Sequence, residues 1–208
     1  MAAPAQISFE RPFKYVFQDP NWTKKILMGG LVTLSCMVFV GIFVLAGYSK
    51  RLFLTLIKDE NALIPDIDFG ADLSEGLGVV AVGFCWGLGL MVLCLIPILG
   101  WMVGIAASIF MPAVMMRYFV TGRFGAAFEF KEIIEFIKPN MTNLLLVFAI
   151  GMLAGIVAQM GVIACFVGVL FTGFWSLIAR TVAMADVWRL SEQAGAVPVQ
   201  SVGAPPAP

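Results

Sequence analysis

The feature that most constrains this chain is a set of three long stretches without a charged side chain. They cover residues 26–49, 76–116 and 141–179. Runs of 18 or more apolar residues are typical of helices that cross a membrane, because a helix satisfies its own backbone hydrogen bonds in lipid. Only 12% of the residues are charged, against about 25% in an average soluble domain. The sequence therefore predicts an all-α, polytopic transmembrane helical bundle, with a single integral membrane domain over residues 9–190.

The two ends of the chain differ from these runs. The first 25 residues contain six charged side chains and no central apolar block, so we expect no cleavable signal peptide and a flexible N-terminus over residues 1–8. Residues 191–208 are rich in proline, alanine and glycine, which predicts a disordered cytoplasmic tail. The 13 basic and 13 acidic residues balance, which gives no reason to expect a nucleic-acid partner.

One phrase occurs twice in the sequence. Residues 9–23 (FERPFKYVFQDPNWT) and 128–142 (FEFKEIIEFIKPNMT) are identical at six of fifteen positions without a gap. Each copy alternates charged and apolar residues, as an amphipathic helix lying in the membrane interface does. Because residues before proline avoid the helical region, we expect this helix to stop before Pro20 or Pro139. Asn21 or Asn140 would then cap a second helix that enters the bilayer.

Further similarity extends the repeat along the chain. Residues 39–49 resemble 166–176, and 98–108 form a weaker third copy. We therefore expect three pseudo-repeated helical hairpins, with five or six membrane helices and amphipathic interfacial helices. The repeat units would cover about 9–60, 69–122 and 128–190. Glycine and proline interrupt helices, and the expected turns lie at Gly41, Pro97, Gly100 and Gly168.

Charge placement supports three hairpins. In that arrangement all 13 basic residues fall on one face, as the positive-inside rule requires, with both termini cytoplasmic in a bacterial cytoplasmic (inner) membrane. The first apolar run is the difficult one, because only 24 residues separate Lys25 from Lys50. That length suffices for one ordinary span. The run is therefore either a short re-entrant hairpin, which the repeat and the charges favour, or a single span in a protein with five spans.

A motif follows the first apolar run. Its residues are Gly47, Tyr48, Arg51, Pro65, Asp66, Asp68, Gly70 and Gly76. In this region the sequence resembles a bacterial and archaeal membrane protein family known as domain of unknown function family 4013. The resemblance covers roughly residues 13–190. It implies a multi-pass membrane protein, and the family has no established activity to carry over.

Glycines spaced four residues apart occur in three places. They are Gly83 and Gly87, Gly100 and Gly104, and Gly151 and Gly155. Small residues at this spacing let helix backbones approach closely in lipid. The spacing alone leaves two interpretations open, which are packing within one subunit and an interface between subunits.

Few residues offer catalytic or ion-binding chemistry. The chain has no histidine and four cysteines, all within apolar runs, and it contains no GxSxG, HExxH or phosphate-loop motif. The loop over residues 59–75 holds six acids without the regular spacing of a calcium loop. Arg117, Arg180 and Asp186 are expected near the cytoplasmic ends of helices, where long side chains reach water. We therefore expect no enzyme, cofactor or metal, and no ion-coupled transporter.

These observations favour a non-catalytic function. The glycine pairs and the interfacial helices predict a homo-oligomeric scaffold or assembly subunit, whose partners are the lipid bilayer and other copies of itself. The alternative is a channel or permease for a neutral or lipidic solute, with a methionine- and phenylalanine-rich path that includes residues 111–119.

Overall fold

A computed structural model describes residues 6–94, 97–163 and 167–195. Within that part, the chain forms seven α-helices joined by short connections and three 3₁₀ turns. The helices are α1 (Arg11–Lys14), α2 (Trp22–Leu34), α3 (Val40–Lys58), α4 (Phe69–Cys94), α5 (Pro97–Thr121), α6 (Phe130–Ile163) and α7 (Val167–Gln193). Five of them, α3 to α7, are long and apolar enough to span a membrane. The predicted all-α membrane bundle is confirmed at this level.

The first apolar run folds back on itself. Helix α2 has 13 residues, which at 1.5 Å per residue gives about 20 Å, less than the hydrocarbon thickness of about 30 Å. The chain then turns through Phe39, whose φ of 62° is left-handed. Lys25 at the start of α2 donates a hydrogen bond to the Ile64 carbonyl, beyond the end of α3. The run therefore contains a turn and is not one straight helix, and of its two helices only α3 is long enough to be a candidate span.

The predicted turn residues lie beside the turns or inside helices. Gly41 is in the first turn of α3, where an added Cβ would lie 2.5 Å from the Val32 carbonyl oxygen, so glycine is what lets the hairpin close. Pro97 is the first residue of α5, a position that tolerates its missing N–H. Gly100 and Gly168 lie within α5 and α7. Residues 95–96 and 164–166, which precede these two helices, lie outside the described residues, so the turns expected near Gly100 and Gly168 stay predictions.

The two copies of the repeated phrase fold differently. After the first, Asp19 is extended and its carboxylate accepts a hydrogen bond from the Asn21 N–H, while the Asn21 side chain makes no cap. After the second, α6 continues through Pro139. The predicted break at Lys138 is wrong. Proline removes a single helical hydrogen bond, and the buried Asn140 holds the helix by donating to the Phe136 carbonyl and accepting from Ser191 of α7.

The core lies around α3 and α7. The largest fully buried side chains include Tyr48, Phe53, Phe174 and Ile178, and α7 packs against α2 and α3 as well as α6. Residues near both predicted flexible ends join this core. Ile7 is buried and its N–H donates to Asn143, and α7 extends to Gln193, into the predicted tail. By contrast, only 17% of the apolar window of α4 is buried.

Candidate functional site

Two of the motif glycines lie where two helix backbones are in direct contact. Helices α3 and α4 run antiparallel and meet at Gly47 and Gly76. A Cβ added to Gly76 would lie 2.6 Å from the Phe43 carbonyl carbon and closer still to its oxygen. One added to Gly47 would lie 2.7 Å from the Asp72 carbonyl carbon. Main-chain atoms fill the space on both sides, so only glycine fits at either position.

Tyr48 connects this crossing to the following loop and to α7. Its side chain is fully buried, and its ring lies 5.3 Å from that of Phe174. Its hydroxyl donates a hydrogen bond to the Pro65 carbonyl, 3.3 Å away. Pro65 therefore acts in the motif through its main-chain oxygen. Two of the motif residues predicted from the resemblance, Tyr48 and Pro65, meet in this way.

An arginine–aspartate pair closes the same region. Arg51 donates to the Asp72 carboxylate at 2.6 Å and to the Asp66 carbonyl at 2.7 Å. The Asp72 side chain is 1% exposed and also accepts from the Asp68 N–H at 3.0 Å. The Arg51 Nε and the second Asp72 oxygen are buried without a described partner. The ion pair joins α3 to α4 at their crossing. The unpaired N–H of Arg51 and the unpaired oxygen of Asp72 are free to bind one more polar partner.

Asp68 has a separate structural role. One of its oxygens accepts hydrogen bonds from the N–H groups of Gly70 and Ala71, both at 3.1 Å. These are free N–H groups of the first turn of α4, so Asp68 caps that helix. Asp72, the partner of Arg51, was not singled out in the sequence. Its position four residues after Asp68, in the first turn of a helix where a carboxylate is favoured, was the available signal.

Basic side chains neutralise most of the acidic loop. Lys50 pairs with Glu75 at 2.5 Å, and Arg189 pairs with Glu60. The pair with Arg189 keeps the pKa of Glu60 below its ordinary value. Within the residues that the structure describes, no group of three or more histidine, cysteine, aspartate or glutamate side chains is arranged to hold a metal ion. The acids therefore serve as ion-pair and hydrogen-bond partners for the helices around them.

A second ion-pair network fastens the N-terminal segment. Arg11 pairs with Asp186 of α7 and donates to the Glu60 carbonyl at 2.7 Å. Tyr15 donates to the Ala62 carbonyl at 2.7 Å, and burial raises the pKa of its hydroxyl to about 12. The network joins the start of the chain, the loop after α3 and the end of α7.

The glycine pairs separate into two kinds of surface. On α4 and α5, Gly87 and Gly104 have no described atom within 4 Å of an added Cβ, and Gly83 meets only the Met115 methyl at 3.7 Å. On α6, an added Cβ on Gly151 or Gly155 would touch the Arg180 side chain, at 3.2 Å and 3.4 Å. The α6 pair therefore packs within the subunit, whereas Gly87 of α4 and Gly104 of α5 face outward.

Arg180 does not lie at a helix end as predicted. It is halfway along α7, inside the candidate span Leu170–Gln193, because Asp186 and Arg189 occupy the end of that helix instead. Its guanidinium donates to the Gly151 carbonyl at 2.9 Å, and no carboxylate among the described residues pairs with it. Because side chains on a helix lean toward its N-terminus, the Arg180 guanidinium lies against Gly151 and Gly155 of α6.

The methionine- and phenylalanine-rich stretch lies in the core. Val114 and Met116 are fully buried, and Phe119 lies 5.4 Å from Phe53 between ring centroids. Residues 111–119 thus pack in part against α3.

Five candidate spans in one chain define a multi-pass membrane protein. Residues 30–167, two thirds of the chain, match the family described as "Protein of unknown function (DUF4013)", and the chain belongs to that family. The resemblance seen in the sequence is confirmed, and the matched region contains the whole α3–α4 crossing. No curated protein and no solved structure matches the chain.

Proposed function

We propose that this protein is a non-catalytic membrane scaffold or assembly subunit that associates with copies of itself. The observation that carries the proposal is the uncovered glycine surface of α4 and α5, where Gly87 and Gly104 open onto space. In lipid the hydrophobic effect does not draw helices together, so close packing at small residues supplies much of the association energy. A glycine surface that the chain does not cover with its own helices suits a neighbouring copy.

The uneven packing of the bundle supports this interface. Only 17% of the α4 window is buried, compared with 56% of the α7 window. Large side chains beside the glycines are exposed, among them Phe84 and Met91. They would surround the glycine contact and pack against the partner, as bulky residues do around a small-residue helix crossing.

The proposal also includes the orientation of the bundle in the membrane and its construction from three repeated hairpins. Most of the basic residues lie in the N-terminal segment, at the start of α2, in the last nine residues of α3, around the connection before α6 and near the end of α7. By the positive-inside rule these parts and both termini would lie in the cytoplasm of a bacterial inner membrane. The pairs α2–α3, α4–α5 and α6–α7 would be three copies of one hairpin unit. Reactivity of introduced cysteines toward a membrane-impermeant reagent tests the orientation at each connection.

The first experiment is the mass of the particle in lipid nanodiscs, compared with the 22.5 kDa chain. We expect a defined multiple of this mass, and a smaller particle for Gly87→Leu and Gly104→Leu. Gly173→Leu is the matched control, because its added side chain also enters open space but lies on α7. A monomeric wild-type protein would overturn the scaffold proposal. The permease for a neutral or lipidic solute would then become the leading candidate, tested by flux into proteoliposomes.

A further inference from the structure

Arg180 of α7 is the arginine whose charge this chain leaves unpaired. Within the described residues, each of the other arginines forms an ion pair with a carboxylate, and Arg180 does not. All 13 acidic side chains are among the residues that the structure describes, so no acid of the same chain neutralises this charge. The Arg180 guanidinium donates to the Gly151 carbonyl at 2.9 Å, which uses one of the five N–H donors of an arginine. The remaining donors can bind an anion that comes from outside the chain.

Two glycines of α6 hold this guanidinium in place and leave it accessible. A Cβ added to Gly151 would lie 3.2 Å from Arg180 Nε, and one added to Gly155 would lie 3.4 Å from Nη2. The guanidinium therefore lies directly against the α6 backbone, in space that other residues would fill. Arg180 is nevertheless exposed. Because the side chain is already ordered by its bond to Gly151, an anion that binds it pays less of the cost of immobilising a long side chain.

Contacts between helices place Arg180 at the edge of the apolar layer. Helices α2 and α7 run antiparallel, and Gly29 of α2 faces Phe174 of α7. Toward the start of α2, Lys25 lies four residues from Gly29, which is about 6 Å along the helix axis. In the same direction Arg180 lies six residues from Phe174, which is about 9 Å. Arg180 also directly follows the apolar run 141–179. It is therefore level with the charges that flank the apolar runs, although it lies in the middle of its own helix.

The surroundings of Arg180 and its depth identify the anion. Met152 and Ile156, beside the two glycines on α6, are 57% and 52% exposed, as side chains that face lipid are. At the edge of the apolar layer the abundant anions are lipid phosphates, and the planar guanidinium matches a phosphate through paired hydrogen bonds. We propose that Arg180 binds the phosphodiester group of a membrane phospholipid, whose acyl chains pack against the exposed side chains of α6. The site is apart from Gly87 and Gly104, so it does not depend on self-association.

The test measures the lipid that the purified full-length protein retains in mild detergent, by native mass spectrometry. The probes are dioleoylphosphatidylglycerol and dioleoylglycerol, which has the same chains and no phosphate. We expect Arg180→Gln to retain the phospholipid about 10-fold less strongly than the wild type, the lower limit for a hydrogen bond to a charged group, and to retain dioleoylglycerol equally. Arg123→Gln is the matched control, because it removes the same charge from an arginine that pairs with Glu129, and it should leave both lipids unchanged.

A second variant keeps the test decisive if Arg180→Gln does not fold. Arg180→Lys keeps the charge and loses the planar fork of donors, so it should retain the phospholipid less strongly than the wild type and dioleoylglycerol equally. Circular dichroism shows whether each variant is folded.

Three outcomes would overturn the proposal. The first is phospholipid retention at the wild-type level by folded Arg180→Gln or Arg180→Lys. The second is displacement of the phospholipid from the wild type by inorganic phosphate at constant ionic strength, which would assign the site to free phosphate. The third is a smaller particle for Arg180→Gln with unchanged lipid, which would show that the anion is a carboxylate of a neighbouring copy. Particle mass is read in the same spectra, so a failure of self-association is distinguished from a failure of lipid binding.

Discussion

Substitution of Gly76 by alanine tests the most tightly constrained contact in the bundle. The new Cβ would lie 2.6 Å from the Phe43 carbonyl carbon, and ordinary van der Waals contact begins at 3.4 Å. Helices α3 and α4 would have to separate locally by at least 0.8 Å. The obstacle is main chain, so no side-chain rotation can relieve the clash. Separation would also lengthen the hydrogen bond between Arg51 and Asp72, now 2.6 Å.

The energetic cost follows from two opposing effects. Forcing an extra methyl group into a packed core costs about 1–3 kcal/mol, and the upper value applies where the backbone must move. Alanine in place of glycine within a helix recovers about 1 kcal/mol. We therefore expect Gly76→Ala to lower the free energy of unfolding by about 2 kcal/mol. The matched control is Gly89→Ala, on the same helix with no described atom within 4 Å of the added Cβ, which should stabilise the protein by up to about 1 kcal/mol.

The assay is reversible unfolding in mixed detergent and SDS micelles, followed by tryptophan fluorescence and circular dichroism. Gly76→Ala and Gly89→Ala should differ by about 3 kcal/mol, because the first loses about 2 kcal/mol net to the clash and the second gains about 1 kcal/mol of helix propensity. If the two variants unfold within about 0.5 kcal/mol of each other, the difference expected for surface substitutions, the α3–α4 crossing is looser than described and the interpretation of the motif glycines is wrong.

Three further variants test polar contacts with the same unfolding assay. Asp72→Asn should lower stability by about 2 kcal/mol, because it leaves Arg51 without an anion, and an unchanged midpoint would contradict this pair. Burial favours the neutral form of Asp19, but hydrogen bonds from Lys25 and a backbone N–H outweigh it and keep its folded-state pKa below the ordinary value of about 3.9. The stability that the Asp19 carboxylate contributes should therefore be present above about pH 4 and be lost as the pH falls through its folded-state pKa. Wild type and Asp19→Asn should differ in unfolding free energy above about pH 4 and converge in acid. Parallel curves of unfolding free energy against pH would refute this role of Asp19. Tyr48→Phe removes one hydrogen bond and should cost about 1 kcal/mol, whereas a loss above about 3 kcal/mol would point to a role beyond that bond.

The features that the sequence predicted correctly depend on local composition. The apolar runs determine which segments become spans, and 24 residues between Lys25 and Lys50 are too few for two full crossings. The run therefore had to form either two short helices with a turn between them or one straight helix, and the turn occurs at Phe39. The motif around Gly47 and Gly76 was found from its resemblance, and the structure explains it as a steric requirement of two helices in contact.

The features that the sequence did not predict depend on neighbours that are distant in the chain. Pro139 usually marks a helix end, but the contact of Asn140 with Ser191 on α7 lets the helix continue. Asp72 looked like one more acid in an acidic loop until α3 brought Arg51 against it. Arg180 lies in the middle of α7 because that helix continues to Gln193, and Asp186 beyond it pairs with Arg11 of the N-terminal segment.

The position of α7 has a consequence for the synthesis of this protein. Helix α7 leaves the ribosome after α2 and α3, and both of these helices pack on it, with Gly29 and Gly30 of α2 facing Phe174 and Phe171. Until α7 is inserted, the glycine face of α2 has no helix to pack against, and Arg11 lacks its ion-pair partner Asp186. The nascent chain therefore remains open at this surface until α7 has been synthesised and inserted. A chain that stops before α7 would expose Gly29 and Gly30 of α2 to the quality-control proteases of the membrane.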